Sequence, residues 1–156
     1  MRATADFVDD HPDAAVCALA FRSFGGRRTF EGAIATVRCH EDNVVVKRRV
    51  AEPGEGRVLV VDGGGSVRVA LLGDRVAALA ASNGWAGVVV HGAVRDVAAL
   101  GAIDVGIVAL GTCPRASAKL GAGETDEPVT FGGVEFRPGA HIVVDDDGIV
   151  VLDTAR

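Results

Sequence analysis

The chain has 156 residues, of which 49% are apolar, and this supports one domain with a buried core and excludes a disordered chain. Its net charge of -5 and its 4% aromatic content argue against direct nucleic-acid binding, because an acidic surface repels phosphates and few rings can stack on bases. No apolar run reaches the ~20 residues of a membrane span, and the N-terminus has no signal-peptide core. We therefore expect a cytoplasmic protein that is not attached to a membrane.

The three cysteines are widely spaced and form no CxxC pair, so a structural zinc site is not expected. We interpret Cys17, Cys39 and Cys113 as small hydrophobic side chains in a reducing compartment.

The first fifty residues predict two short helices and two strands: helices at 4–10 and 42–50, and strands at 15–21 and 29–39. Thr4 is expected to cap the first helix, and Pro12 ends it. Gly25-Gly26 indicates a turn between the strands, and Pro53-Gly54 ends the second helix.

The middle of the chain alternates between strands and helices. Apolar strands are predicted at 57–62, 87–90 and 105–110, and helices at 74–82 and 96–100, with Gly84 as the C-cap of the longer helix. This β-α-β-α-β order favours parallel pairing through right-handed crossovers.

The C-terminal third changes to antiparallel character. Residues 129–136 alternate around Gly132-Gly133, and strands at 141–144 and 149–152 flank an Asp/Gly turn. The sequence therefore predicts a single α/β domain over residues 1–156, with a parallel β-α-β core and C-terminal antiparallel hairpins.

Several motifs do not support the ligand binding or catalysis that they first suggest. Gly63-Gly64-Gly65 follows a strand, but Arg68 stands where a dinucleotide fingerprint needs glycine, and no P-loop lysine follows. Asp145-Asp146-Asp147-Gly148 lacks the alternating spacing of an EF-hand, which favours a solvated turn. Lys47-Arg48-Arg49 is interpreted as a solvated helix face, and His91 as a hydrogen-bonded structural residue rather than an acid or base.

The segment from Gly73 to Val76 begins the helix predicted at 74–82. The first N–H groups of a helix lack partners within it, and their partial positive charge suits a small carboxylate. The alternative is that Asp74 only caps its helix.

Arg95-Asp96 closes a buried strand, at the edge of an α/β sheet where ligands gather. The guanidinium of Arg95 is suited to a carboxylate or keto oxygen, and Asp96 to a hard cation such as Mg²⁺. The alternative is that Asp96 caps the next helix and pairs with Arg95. Convergence of Asp74 and Asp96 on one helix end favours the site.

Several motifs of the chain are similar to those of a known family. The chain resembles the RraA-like family, which contains the regulator of ribonuclease activity A and the 4-hydroxy-4-methyl-2-oxoglutarate aldolases. The aldolase branch carries an Asp, twenty residues and then Arg-Asp, which Asp74 and Arg95-Asp96 match. The other shared motifs are Phe24-Gly25-Gly26-Arg27, Val60-Val61-Asp62-Gly63-Gly64-Gly65-Ser66, Trp85-Ala86-Gly87, His91-Gly92-Ala93-Val94, Gly121-Ala122-Gly123-Glu124 and Phe131-Gly132-Gly133-Val134.

The resemblance implies a swivelling β/β/α fold, a homotrimer with active sites between subunits, and class II aldolase chemistry that releases pyruvate, with oxaloacetate decarboxylation as a side activity. It implies that Asp96 holds Mg²⁺ or Mn²⁺ and that Arg95 contacts the 2-oxo acid substrate and steadies the enolate. Gly73, Asp74, Arg75 and Val76 would form the substrate loop, and Asp74 would position or deprotonate a water on the metal.

The resemblance also implies an alternative, a non-catalytic regulator that binds ribonuclease E. In that branch the position after the arginine is typically not a carboxylate, so Asp96 favours the lyase. One departure from the aldolase branch is Ala99, where a further acid often stands.

Overall fold

The computed structural model describes residues 2–153. Its elements in chain order are α1 Thr4–Asp10, β1 Ala15–Val16, β2 Arg22–Ser23, β3 Phe30–Arg38, α2 Val44–Val50, β4 Val58–Asp62, β5 Ala70–Leu72, α3 Asp74–Ser82, β6 Gly87–Val94, α4 Val97–Leu100, β7 Gly106–Thr112, β8 Glu124–Thr125, β9 Val129–Phe131, β10 Val134–Phe136, β11 His141–Asp145 and β12 Gly148–Leu152. Within residues 2–153, no helix is both long enough and apolar enough to cross a membrane.

One large mixed sheet organises the chain, in the order β1-β12-β11-β3-β4-β6-β7-β2, with β5 beside β6 and β8 beside β3. The long strand β3 joins its two parts. Residues 30–33 pair antiparallel with β11, and residues 34–38 pair parallel with β4. The predicted parallel β-α-β core is confirmed by β4, β6 and β7, and the predicted C-terminal hairpins by β9–β10 and β11–β12.

Both faces of the parallel strands are buried, which explains their continuous apolar sequences. In β4, Leu59 and Val61 face the core beneath α2 and α3, whereas Val58 and Val60 face the C-terminal hairpins. Helices α2 and α3 pack on the first of these two faces.

The predicted bounds of α3 are confirmed, and so is the glycine that ends it. Gly84 has a φ of +80°, its N–H donates to Ala81 O, and the N–H of Trp85 donates to Ala80 O. This is a Schellman motif, in which glycine takes the left-handed conformation at low cost.

Two predictions about the N-terminal region are wrong. Thr4 is not the cap of α1, because Ala3 occupies that position and the carboxylate of Asp145 accepts both the N–H and the hydroxyl of Thr4, at 2.8 and 2.7 Å. The predicted strand at 15–21 ends after Val16, since Cys17 N–H donates to Ile149 O but Ala18 N–H turns to Gly132 O.

The short strands β5 and β8 were not predicted. β5 pairs parallel with the end of β6, where Ala70 lies opposite Ala93 and Leu72 opposite Val94. Parallel neighbours end at the same edge of a sheet, so β5 brings the start of α3 next to the residues that follow β6.

Candidate functional site

The two predicted halves of the site lie side by side at the carboxyl ends of β5 and β6. The backbone N–H of Arg95 donates to Leu72 O at 3.0 Å, which joins the two chains one residue before Gly73. Asp74 begins α3, and Asp96 precedes α4.

Asp96 is linked directly to the start of α3. Its Oδ2 accepts the backbone N–H of Asp74 at 2.9 Å, so it caps α3 and makes no side-chain cap bond to α4. Asp96 has a φ of +63°, a left-handed conformation that is uncommon for a residue other than glycine and costs about 1 kcal/mol. A methyl group at Gly73 would come within 2.5 Å of Oδ2, so only glycine permits this approach.

Asp74, Arg95 and Asp96 do not have the purely structural roles, as helix caps and an ion pair, that the sequence left open as alternatives. Within residues 2–153, the carboxylate of Asp74 makes no hydrogen bond or ion pair. In the same range, Arg95 forms no ion pair with Asp96, and its Nη1 donates to Pro114 O at 3.3 Å. Both side chains are exposed and available to a ligand.

These residues line an open pocket of about 980 Å³ between α2 and α3. The substrate loop that the sequence predicts, Gly73 to Val76, forms one wall together with Arg95 and Asp96. The opposite wall comes from α2. The pocket contains Lys47, Arg48, Arg75, Arg95 and Lys119 as cations, and only Asp74 and Asp96 as carboxylates.

The interpretation of Lys47-Arg48-Arg49 as a solvated helix face is therefore wrong in part. Lys47 and Arg48 line the pocket. Arg49 is only 7% exposed, because it points the other way, pairs with Glu52 and Asp126, and lies over the ring of Trp85.

Lys119 is a pocket residue that sequence reasoning missed. It lies in an irregular segment after β7, and no periodicity or motif marks it. Its Nζ donates to Asn43 Oδ1 at 2.5 Å and to Ser117 Oγ at 3.2 Å. Partial burial lowers the pKa of Lys119, and the positive charges of Arg95 and Lys47 lower it further, against the opposing effect of Asp42.

The buried carboxylate of Asp42 holds this side of the pocket together. Oδ2 accepts the N–H groups of Leu120, Gly121 and Ala122, and Oδ1 accepts that of Val44, so the helix predicted from residue 42 begins two residues later. Burial alone would raise the pKa of Asp42, but these four donors hold it below its ordinary value.

His91 is hydrogen bonded, as predicted, and lies outside the pocket. Its Nδ1 is 2.9 Å from Asp62 Oδ1, and its ring stacks on Phe131 with centroids 4.4 Å apart. Burial alone would raise the pKa of Asp62, but hydrogen bonds from His91 and from the N–H of Gly64 hold it below the usual range.

The acidic turn near the C-terminus and Cys39 have the structural roles that the sequence predicts. Asp145 to Gly148 form the turn between β11 and β12. Burial, aided by the negative charges of Asp42 and Asp62, raises the pKa of Cys39 to about 12, so this thiol is neutral and packs in the core.

The pocket offers hard oxygen ligands to a cation. Within residues 2–153, no three His, Cys, Asp or Glu side chains form a metal-binding group. Mg²⁺ is usually held by one or two carboxylates and completes its shell with water and substrate oxygens. Asp96 suits that donor set, because Oδ2 is engaged with Asp74 N–H and Oδ1 remains available.

The fold is mixed α/β, with an open pocket at the ends of the parallel strands β5 and β6. The profile of the RraA-like family, described as Aldolase/RraA, matches residues 4–151. The chain belongs to this family, as its motifs indicated.

Solved structures of similar proteins cover nearly the whole chain. It is 50% identical to an S-adenosylmethionine: 2-dimethylmenaquinone methyltransferase from Geobacillus kaustophilus HTA426, with a TM-score of 0.97 over 99% of this chain and 96% of that one. It is 46% identical to the RNA-processing inhibitor RraA from Thermus thermophilis, with a TM-score of 0.97 over 100% and 95%. It is 27% identical to Streptomyces coelicolor RraAS2, of the RNase ES inhibitor family, with a TM-score of 0.80 over 97% and 80%.

Proposed function

We propose that the protein is a divalent-metal-dependent lyase of the class II aldolase type, which cleaves 4-hydroxy-4-methyl-2-oxoglutarate or a related 2-oxo acid to pyruvate and also decarboxylates oxaloacetate. The observation that carries this proposal is the convergence of Arg95, Asp96 and the start of α3 in one cationic pocket. Membership of a family that includes aldolases supports it.

The chain's own residues account for the charges that the reaction creates. Cleavage of the C3–C4 bond leaves its electron pair on the pyruvate fragment as an enolate, and the proton of the C4 hydroxyl must leave. Arg95 binds the 2-oxo acid with its planar fork and stabilises the developing negative charge. Asp74, whose carboxylate is free of other partners within residues 2–153, accepts the hydroxyl proton directly or through a water.

Mg²⁺ or Mn²⁺ held by Asp96 would supply Lewis acidity at the 2-oxo oxygen. Oxaloacetate fits the same arrangement, because loss of CO₂ leaves the same pyruvate enolate. The N–H groups at the start of α3, other than that of Asp74, which donates to Asp96, favour the substrate carboxylate.

The test measures pyruvate release from oxaloacetate, with and without Mg²⁺ or Mn²⁺, in an assay coupled to lactate dehydrogenase. Asp96→Ala and Arg95→Ala are expected to abolish metal-dependent release. Asp96→Asn is sharper, because the amide oxygen can still accept the N–H of Asp74 while the charge that holds the cation is lost.

Asp104→Asn is the matched control, since Asp104 is an exposed aspartate paired with Arg27 outside the pocket. It is expected to retain wild-type activity. Pyruvate release that stays at the spontaneous rate with either metal would rule out the lyase.

The alternative function is regulation of ribonuclease E by direct binding, favoured by the 46% identity to the inhibitor RraA. A pull-down with purified ribonuclease E tests it, and retention of binding by Asp96→Asn would separate the two functions. The methyltransferase name of one similar structure is not carried over, because Gly63-Gly64-Gly65 lacks the fingerprint of a nucleotide cofactor.

We also propose that the protein assembles as a homotrimer with its sites between subunits, by analogy with the family. Light scattering coupled to size-exclusion chromatography tests this, with a single species near three times 15.9 kDa as the expected result.

A further inference from the structure

Lys119 holds its ammonium group in a defined place, although the segment around it is exposed. Its Nζ donates to Asn43 Oδ1 at 2.5 Å and to Ser117 Oγ at 3.2 Å. Ser117 is itself buried and accepts the backbone N–H of Asn43 at 3.1 Å. Both acceptors are uncharged, and among residues 2–153 no carboxylate forms an ion pair with Lys119. The ammonium is therefore oriented without being neutralised, and its charge stays available to an anion in the pocket that it lines.

The amide of Asn43 is oriented by two different partners. Its Nδ2 donates to Leu71 O at 3.1 Å, while its Oδ1 accepts from Lys119. A carbonyl needs a donor and an ammonium needs an acceptor, so only one of the two orientations of the amide satisfies both. An aspartate at this position could not donate to Leu71 O and would neutralise Lys119. Asparagine is thus matched to both contacts.

These contacts differ from the ordinary role of an asparagine at the start of a helix. Asn43 occupies the N-cap position of α2, where an asparagine side chain usually accepts an N–H group of the first turn. In the described part of the chain, the side chain of Asn43 makes no such bond, and Asp42 Oδ1 accepts the N–H of Val44 at 3.1 Å instead. The amide of Asn43 is therefore not needed to cap α2.

Leu71 connects Asn43 to the residues that we propose bind the substrate. It lies in β5, two residues before Gly73. The next residue of β5, Leu72, accepts the backbone N–H of Arg95 at 3.0 Å. Asn43 thus joins the ammonium of the irregular segment to the strand that leads to Gly73 and holds the backbone of Arg95.

We propose that Asn43 is a positioning residue, whose amide fixes the ammonium of Lys119 beside Arg95 so that both cations act on one substrate anion. Asn43 acts through Lys119 and does not itself bind the substrate. The positive charge of Arg95 lowers the pKa of Lys119, which supports their proximity. This inference rests on the proposed function, because it takes the 2-oxo acid to bind at Arg95.

The test is a double-mutant cycle on the binding of oxalate, a small planar anion that resembles the pyruvate enolate. Calorimetry with Mg²⁺ measures its affinity, so the result does not depend on turnover. Asn43→Ala is expected to weaken oxalate binding about tenfold, because the ammonium is no longer held in place. In the Lys119→Met background the same change should weaken binding by less than about twofold, since the group that Asn43 positions is gone.

Asn83→Ala is the matched control. The amide of Asn83 also donates to a backbone carbonyl, Leu79 O at 2.9 Å, but Asn83 lies at the end of α3, outside the set of residues that line the pocket. It should leave the affinity for oxalate within about twofold of its starting value in both backgrounds. Thermal unfolding of each variant verifies that it is folded.

Equal losses from Asn43→Ala in the two backgrounds would overturn the inference, because Asn43 would then act independently of Lys119. Undiminished binding in Asn43→Ala would overturn it as well, and so would a wild-type protein that does not bind oxalate. Failure of the proposed lyase has a different signature, in which oxalate binding shows the coupling between Asn43 and Lys119 but oxaloacetate releases no pyruvate.

Discussion

Asp96 Oδ2 accepts the backbone N–H of Asp74 at 2.9 Å, across the gap between the end of β6 and the start of α3. One carboxylate oxygen thus satisfies a helix N-terminus, and the other accepts no hydrogen bond within residues 2–153, which makes it available to a cation. The hydrogen bond also explains why the spacing of Asp74 from Arg95-Asp96 matters. The residues between them form α3 and β6, and this length of chain brings the end of β6 next to the start of α3.

The first prediction concerns Gly73, which permits this contact. Gly73→Ala should lower metal-dependent oxaloacetate decarboxylation by roughly 10- to 100-fold, because a displacement of about 1 Å at a catalytic group can cost that much. The new methyl group would lie 2.5 Å from Asp96 Oδ2. The φ of Gly73 is -130°, a conformation that alanine adopts freely, so the effect comes from the contact and not from the backbone.

Gly101→Ala is the control for this prediction, assayed with the same coupled reaction. Gly101 has a helical φ of -63°, and the nearest atom to a new methyl group would be 3.8 Å away. It should retain wild-type activity, and equal losses in both variants would contradict the role assigned to Gly73.

The sequence was sufficient to predict the parallel core, since its strands are continuous apolar runs and its longest crossover helix has a clear glycine stop. It also predicted that Asp74, Arg95 and Asp96 belong together, and all three line the pocket, because Asp74 and Arg95-Asp96 each stand at the boundary of a strongly patterned element. Their contact was not predictable in detail. The contact depends on β5, which is only three residues long. Pairing with β6 stabilises this strand more than the intrinsic strand propensity of its residues does.

The second wall of the pocket was harder to predict for a physical reason. A basic run on a helix is solvated in most proteins, and only tertiary packing decides which of its members face inward. Lys119 lies in an irregular segment that Asp42, 77 residues before it along the chain, holds through backbone N–H groups. Side-chain contacts over such separations leave no local pattern in a sequence.

The second prediction concerns the alkaline limit of activity. Lys119 has a pKa below its ordinary value of 10.5, so it loses its charge, and with it some attraction for an anionic substrate, as the pH rises through that lowered pKa. Activity on oxaloacetate, measured as kcat/KM with Mg²⁺ from pH 7 to 10, should therefore fall at the alkaline end. Lys119→Arg should move this fall to higher pH, because a guanidinium stays protonated.

Lys119→Met is the companion variant, because it removes the titrating charge but keeps much of the side chain's volume. It should lower kcat/KM by roughly tenfold near pH 7 and flatten the alkaline fall. An unchanged profile in Lys119→Arg would show that another group controls the alkaline limit.

The third prediction concerns Asp42, which is 3% exposed and serves as acceptor for four backbone N–H groups. Asp42→Ala should reduce the free energy of unfolding by roughly 2–4 kcal/mol at pH 7, because it leaves buried donors without a partner. Urea unfolding followed by circular dichroism measures this. Asp13→Ala, an exposed aspartate in the turn after α1, should change it by less than about 0.5 kcal/mol.

The stabilisation by Asp42 should depend on pH. Its folded-state pKa lies below the ordinary value of 3.8, so the unfolded chain takes up a proton first as the pH falls. The contribution is complete above about pH 5 and is lost as the pH falls through the folded-state pKa. The difference between the wild-type protein and Asp42→Ala should therefore shrink between pH 5 and pH 2.5, and a constant difference over that range would contradict this assignment.

The last prediction compares two neighbouring aspartates in the turn between β11 and β12. Asp145 accepts the N–H and the hydroxyl of Thr4 and so caps α1 from a distance of 141 residues along the chain, whereas Asp146 forms an exposed ion pair with Arg28. Loss of a helix cap costs about 0.5–2 kcal/mol, and loss of an exposed ion pair about 0–1 kcal/mol. In thermal unfolding at pH 7, Asp145→Ala should therefore lower Tm by several degrees, and Asp146→Ala by much less.

Thr4→Val should also lower Tm, and the double variant Thr4→Val/Asp145→Ala should lower it by less than the sum of the two single changes, because both remove the same contact. Additive losses would show that Thr4 and Asp145 act independently.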